Sequence, residues 1–357
     1  MQIVRKSWLA LLPLALSGCA GNSASNTAAS TSDASSDASN AAANTAASTS
    51  SAAGAKVSGK PFVVGYNQWI GLTGVFMARD KGFFKDAGLD VQMKQFSGPA
   101  DGVPPLISGQ LDGTFTTADT PILLAKEASE NALHNVFIVD TSDGADGIAA
   151  QKGISSVRQL KGKTVAATKG QVNEFLLLKA LQLNGMSDKD VTITNMDADT
   201  SGAAIIAGKI PAAVTWEPWL SRAASAGGQV IFSSRQTPDL ILDVFTVSKQ
   251  TLDSRPADVR AFVAACARGA DYAAAHPAEA AATAAKSFEI KPPDAKDMLT
   301  KVKIYSLKDN RRLMGSASAP GPAFKTASEI GSFFVAQKVI AQAPDVKALF
   351  TSEYLPR

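Results

Sequence analysis

Residues 206–219 read IAGKIPAAVTWEPW. A helix end runs into a glycine turn at Gly208, then a short apolar strand over Ile210–Thr215, then a new helix opening at Pro218. Strand-to-helix corners are where α/β proteins place ligands, because the first N–H groups of the new helix are unpaired. This corner adds two indole rings, Trp216 and Trp219, and a carboxylate, Glu217. Proline in the first helical turn fixes φ and gives up an N–H that had no partner. Taken alone, these residues fit two readings: core packing around an ordinary helix start, or one wall of a ligand site.

A second stretch has the same plan. Residues 107–120 read ISGQLDGTFTTADT: a turn glycine, a threonine-rich strand, then Asp119 just before Pro121. The two stretches share one plan, one residue apart at the acid: Asp119-Thr120-Pro121 against Glu217-Pro218. Internal self-similarity of this kind points to two βαβ halves. Two acidic strand-to-helix corners imply two lobes facing one cleft.

Four more stretches carry candidate residues. The first strand, Pro61–Tyr66, runs into Asn67, Gln68 and Trp69, polar and aromatic groups suited to a ligand mouth. Residues 140–147, DTSDGADG, hold three aspartates in seven residues. They fit either a solvated turn or a cleft lining where the chain crosses between lobes, with Asp146 the candidate. After strand Thr164–Thr168, Gly170 lets backbone approach a ligand, and Thr168 and Gln171 offer hydrogen bonds at the next helix start. Residues 240–247, LILDVFTV, bury one carboxylate, Asp243, in an apolar run. That is costly unless the group is paired or opens onto a cleft.

The N-terminus reads as a targeting segment. Arg5 and Lys6 precede a short apolar run, Trp8–Leu16, too short to span a bilayer as a mature helix. It ends in Leu16-Ser17-Gly18-Cys19, which resembles a bacterial lipobox, so 1–18 is expected to be a signal peptide and Cys19 the lipidated residue. Residues 22–55 are almost wholly Ala, Ser, Thr, Asn, Gly and Asp. Such a segment cannot bury enough surface to offset its ordering entropy, so 19–59 is expected to be a tether with a reach of roughly 35 Å. Cys266 is the only other cysteine and reads as a small buried hydrophobe in an alanine-rich helix. The two histidines, His134 and His276, lack metal-type spacing. HExxH, CxxC, P-loop, GxGxxG and GxSxG motifs are absent. The net charge of +3 is small for 357 residues, and no basic run interleaved with aromatics suggests nucleic acid.

The chain resembles the solute-binding proteins of ABC importers in the nitrate, sulfonate and taurine family. The residues carrying this are Gly65–Trp69, 78–91 (ARDKGFFKDAGLDV), 109–113 (GQLDG), 160–165 (LKGKTV) and 213–219 (AVTWEPW). The resemblance covers nearly all of Pro61–Tyr354. It implies an α/β fold of two periplasmic-binding-protein-like (type II) lobes, each a mixed sheet flanked by helices. Lobe one would be 60–146 plus 246–357 and lobe two 147–245, joined by two crossover strands near Gly147–Gln151 and Leu242–Val247. It also implies a small-molecule solute, an ABC permease in the inner membrane as partner, hinge closure as mechanism, and a monomer held at the cell envelope. No cofactor or metal is implied.

By matching positions, the ligand-binding set is Asn67, Gln68 and Trp69; Thr117 and Asp119; Asp146; Thr168 and Gln171; Trp216 and Glu217; and Asp243. The set is rich in carboxylates, with Lys169 the only nearby base. A dry cluster of carboxylates repels an anion by several kcal/mol, a rough Coulomb figure. A solute with N–H donors or a positive amine is therefore preferred: an amine-bearing sulfonate, a urea- or amide-like compound, or a pyrimidine. Nitrate or an alkanesulfonate fits only if helix N-termini do the binding. Pyrimidine-synthesising enzymes share the fold but need a reactive His or Cys, and neither histidine lies at a proposed corner. The remaining alternative is a surface lipoprotein without a transport role.

Overall fold

The longest runs of β-branched, aromatic and threonine residues become strands buried along their whole length, as expected for central strands with both faces covered. Gly113–Thr117 (GTFTT) and Leu242–Ser248 (LDVFTVS) are the clearest cases. A computed structural model of the chain describes residues 56–125, 132–316 and 318–356. The signal segment, Cys19 and the tether up to residue 55 lie outside the described residues. The described residues all fall in one unit, Ala53–Arg357.

Eleven strands build two mixed sheets. They are β1 (Phe62–Asn67), β2 (Val91–Phe96), β3 (Gly113–Thr117), β4 (Leu133–Ser142), β5 (Asp146–Ala150), β6 (Thr164–Ala167), β7 (Thr192–Asn195), β8 (Ala212–Trp216), β9 (Gln229–Ser233), β10 (Leu242–Ser248) and β11 (Val302–Ile304). The first sheet has the order β11-β4-β10-β3-β1-β2 and the second β7-β6-β8-β5-β9. Helices flank both.

The internal similarity reappears as topology. In the first sheet β2, β1 and β3 run parallel and β10 and β4 add antiparallel. In the second sheet β7, β6 and β8 run parallel and β5 and β9 add antiparallel. Strands β1–β5 and β6–β10 are thus two five-strand units, and each lends its fifth strand to the other's sheet.

The exchanged strands, β5 and β10, lie over the two stretches expected to cross, and the chain changes sheet just before each. β5 already pairs with β8 from Asp146 onward, and β10 pairs with β4 from Leu242 onward. The chain therefore passes between sheets at residues 143–145 and 234–241, ahead of Gly147–Gln151 and Leu242–Val247. The apolar run at 242–247 is the centre of the first sheet, where both edges are hydrogen-bonded. The two passages are stitched together. The Ser142 and Ser234 hydroxyls lie 2.8 Å apart, and Gly144 N–H donates to Ser234 Oγ at 2.7 Å. The N–H of Ser142 donates to the carbonyl of Ile241 at 3.1 Å.

The C-terminal helices cover the first sheet. Helix Pro256–Ala275 crosses helix Thr73–Asp80 so closely that a Cβ on Gly269 would lie 2.2 Å from the Gly74 carbonyl oxygen. Its Phe262 ring packs among Phe62, Phe84 and Phe245. Cys266 is buried in this helix. Just before it, Arg255 binds Asp112 and Asp258 and donates to the Lys60 and Pro61 carbonyls, tying down the start of β1. No described helix is long and apolar enough to cross a membrane.

Candidate functional site

Strand ends supply the site. Asn67 ends β1, Thr117 ends β3, Trp216 ends β8 and Asp146 opens β5. These four, with Trp69, Pro99, Val172, Ile241 and Asp243, line one pocket between the sheets. Six of the expected residues therefore meet in one place: Asn67, Trp69, Thr117, Asp146, Trp216 and Asp243. The pocket is tight, with room for about one water molecule. A larger solute requires the sheets to part.

The pseudo-repeat explains why two aspartates meet there. Asp243 of β10 lies opposite Thr117, the last residue of β3; Asp146 of β5 lies opposite Trp216, the last residue of β8. They are equivalent positions in the two units, brought to one cleft by the strand exchange.

Two more carboxylates join them. Asp119 is buried at the first acidic corner. Asp140, absent from the expected ligand set, accepts the indole N–H of Trp69 at 3.1 and 3.2 Å. It fits because residue 71 is glycine: a Cβ there would lie 2.0 Å from Asp140 Oδ2. The Oδ2 atoms of Asp119, Asp146 and Asp243 are buried and have no hydrogen-bond partner. Neither does the side-chain amide of Asn173, beside the pocket-lining Val172.

Burial raises every one of these acids. Desolvation lifts Asp119 to about 6, against a hydrogen bond from Thr117 that lowers it. Desolvation lifts Asp146 to about 7, helped by the charges of Asp119 and Glu217. Asp140 is lifted by desolvation to about 7, though its bonds to Trp69 and Asp243 pull it down. Asp243 is pushed well above the carboxylate range by desolvation and then by the charges of Asp140 and Asp146. The arrangement is a carboxylate cluster without a cation, where each negative charge costs free energy until an opposite one arrives. None of the described His, Cys, Asp and Glu residues form a group with metal-ligand geometry.

Four expected residues lie elsewhere. Glu217 turns away from the pocket: it takes the Lys301 ammonium at 2.6 Å and the Ser221 hydroxyl at 2.8 Å. Lys301 immediately precedes β11, so this ion pair bridges the second sheet to the first. Thr168 donates to the Met196 carbonyl at 3.1 Å. Gln171 donates to Asp101 at 3.1 Å and packs against Gly98, a second contact that ties the sheets together. Gln68 donates to the Ser287 carbonyl at 3.3 Å and lines a wider outer chamber with Gln95, Asp101, Asp197 and Asp199. Of the missed residues, Asp140 lies in the aspartate-rich stretch. Lys301 carries no sequence signal, since its partner is 84 residues away.

The chain is similar to known proteins in family and in fold. The family described as NMT1/THI5 like matches residues 69–280. A Bacillus subtilis (strain 168) protein, whose name assigns it to aliphatic sulfonate binding, is 26% identical over 293 residues, covering 80% of this chain and 85% of that one. The taurine-binding periplasmic protein of Escherichia coli (strain K12) is 29% identical over 187 residues, 51% of this chain and 57% of that one. The alkanesulfonate-binding protein of Xanthomonas axonopodis pv. citri, solved with MOPS, superposes with a TM-score of 0.67 at 19% identity. That match covers 81% of this chain and 96% of the other. At that identity the likeness shows the fold.

Proposed function

The chain belongs to the NMT1/THI5-like family, and from that premise we propose that it is the extracytoplasmic solute-binding subunit of an ABC importer. The carrying observation is the pocket itself. Two sheets turn the ends of their strands toward one site, and two of the carboxylates lining it, Asp146 and Asp243, carry buried oxygens without partners. The solute is a small polar compound containing nitrogen or sulfur, of the taurine, urea, amide or pyrimidine kind, held among Asn67, Trp69, Thr117, Asp119, Asp146, Trp216 and Asp243. Residues 60–142 with 242–357, around the first sheet, and residues 146–233, around the second, act as two lobes. The solute bridges them and favours the closed form, which docks on the permease. A lipid on Cys19 and a tether shorter than the expected 19–59 hold this monomer at the membrane, since Ser58 already donates its N–H and hydroxyl to Asp258 of the folded body.

A thermal-shift screen tests the reading. A receptor gains about 2.7 kcal/mol when free ligand stands at 100 times its dissociation constant. One solute class is expected to raise Tm by several degrees and to change the emission of Trp69 and Trp216. No shift with any amine, amide, sulfonate, nitrate or pyrimidine would defeat it. For the anchor, Cys19→Ser is expected to move the protein from the membrane fraction to the soluble fraction.

A further inference from the structure

We propose that the solute is an elongated organic cation with two separated positive nitrogens, one seated among Asp119, Asp146 and Asp243 and the other at Asp101, Asp197 and Asp199. The proposal rests on the solute-binding reading above and names its substrate class.

The inner end is built for a donor. Asp119, Asp146 and Asp243 are 2%, 3% and 8% exposed, and each has an unpartnered Oδ2. An ammonium carries three N–H donors and no acceptor; Asp146 and Asp243, which line the pocket, offer it open acceptors, and Asp119 acts on both through its charge. A sulfonate or nitrate is the reverse, all acceptor. The pocket's neutral donors for it are the Asn67 amide and the Thr117 hydroxyl, with the Asn173 amide alongside, and no cation joins them. The Trp69 indole N–H is taken by Asp140 and that of Trp216 by Asp199 at 3.2 Å. No lysine, arginine or histidine lines the pocket.

The outer end continues the same walls. Asn67 and Trp69 line the pocket while Gln68 lines the outer chamber. Pro99 lines one while Ser97 and Asp101 line the other. Trp216 borders the pocket with its ring and bonds Asp199 of the chamber through Nε1. The chamber, about 510 Å³, adds Asp101, Asp197 and Asp199 with no basic residue in its lining. Among the described residues none of these three forms an ion pair. Two negative ends flank the indoles of Trp69 and Trp216, surfaces suited to methylene groups and to cation–π contact.

Calorimetry on the mature protein tests this with 1,4-diaminobutane, agmatine, n-butylamine, taurine, ethanesulfonate and nitrate. The diamine or agmatine is expected to bind at least tenfold more tightly than n-butylamine, and the two sulfonates and nitrate at least a hundredfold more weakly. Asp243→Asn should weaken the diamine at least thirtyfold with the far-ultraviolet dichroism unchanged. Asp197→Asn, at the exposed end, should remove most of the diamine's advantage over n-butylamine. If taurine, ethanesulfonate or nitrate binds and the amines do not, the cation proposal falls and the receptor reading stands. If n-butylamine binds as tightly as the diamine, the second nitrogen is wrong. Silence from all six probes, and from the amides and pyrimidines of the thermal-shift screen, removes both readings.

Discussion

Asp140 reaches the indole of Trp69 only because residue 71 has no side chain. Gly71→Ala would drive a methyl into that carboxylate, and overpacking of this kind costs about 1–3 kcal/mol. Urea unfolding should show a midpoint lowered accordingly, together with altered tryptophan emission. The buried acids set a pH dependence of definite sign. Asp119, Asp140 and Asp146 are lifted from 3.8 to about 6 or 7, so the folded state holds protons that the unfolded state releases. Their contribution to stability is full below pH about 4 and is lost as pH rises through 6 to 7. Relative to Asp146→Asn, the solute-free protein should lose stability between pH 5 and pH 8 in urea titrations; a flat difference would contradict the burial argument. At this scale the sequence is a partial guide. Asp243 is legible because a carboxylate inside an apolar strand demands a reason. Glu217 is misleading because its partner, Lys301, is distant in the chain, and the direction of a side chain leaving a tight corner is not written in residue type.

Among elements, the exchange of β5 and β10 decides where the acids go. Side chains alternate along a strand, so a slip of one residue in β10 would point Asp243 to the opposite face. The registers against β3 and β8 therefore fix the site as firmly as its residues do. The repeat plan was readable from two glycine turns and two acids, whereas the exchange was not, because pairing across the chain leaves no local pattern. The stretches expected to cross, 147–151 and 242–247, are the exchanged strands themselves, and the chain changes sheet just ahead of each. Ser234 is completely buried at the second passage and its oxygen accepts the Gly144 N–H. Ser234→Ala orphans that donor and should cost about 1–3 kcal/mol, with faster amide exchange at Gly144. On the far side of the first sheet, Arg255 holds Asp112, Asp258 and two carbonyls from a largely buried position. Arg255→Ala leaves the buried Asp258 without its cation, held only by the Ser58 N–H and hydroxyl, and should destabilise by about 3 kcal/mol in denaturant unfolding.

Across the whole molecule two contacts tie the sheets together, Gln171 with Asp101 and Glu217 with Lys301. Lys301→Ala should loosen closure, seen in solution scattering as a larger radius of gyration without solute and a return to the wild-type value with it. The strand exchange has one more outcome. Asp146 and Asp243 come from different halves of the polypeptide, so their mutual repulsion is felt only when the halves meet. On the reading proposed above, an idle receptor is thereby discouraged from shutting on nothing, and a transporter that recognises the shut shape would waste few encounters on unladen visitors.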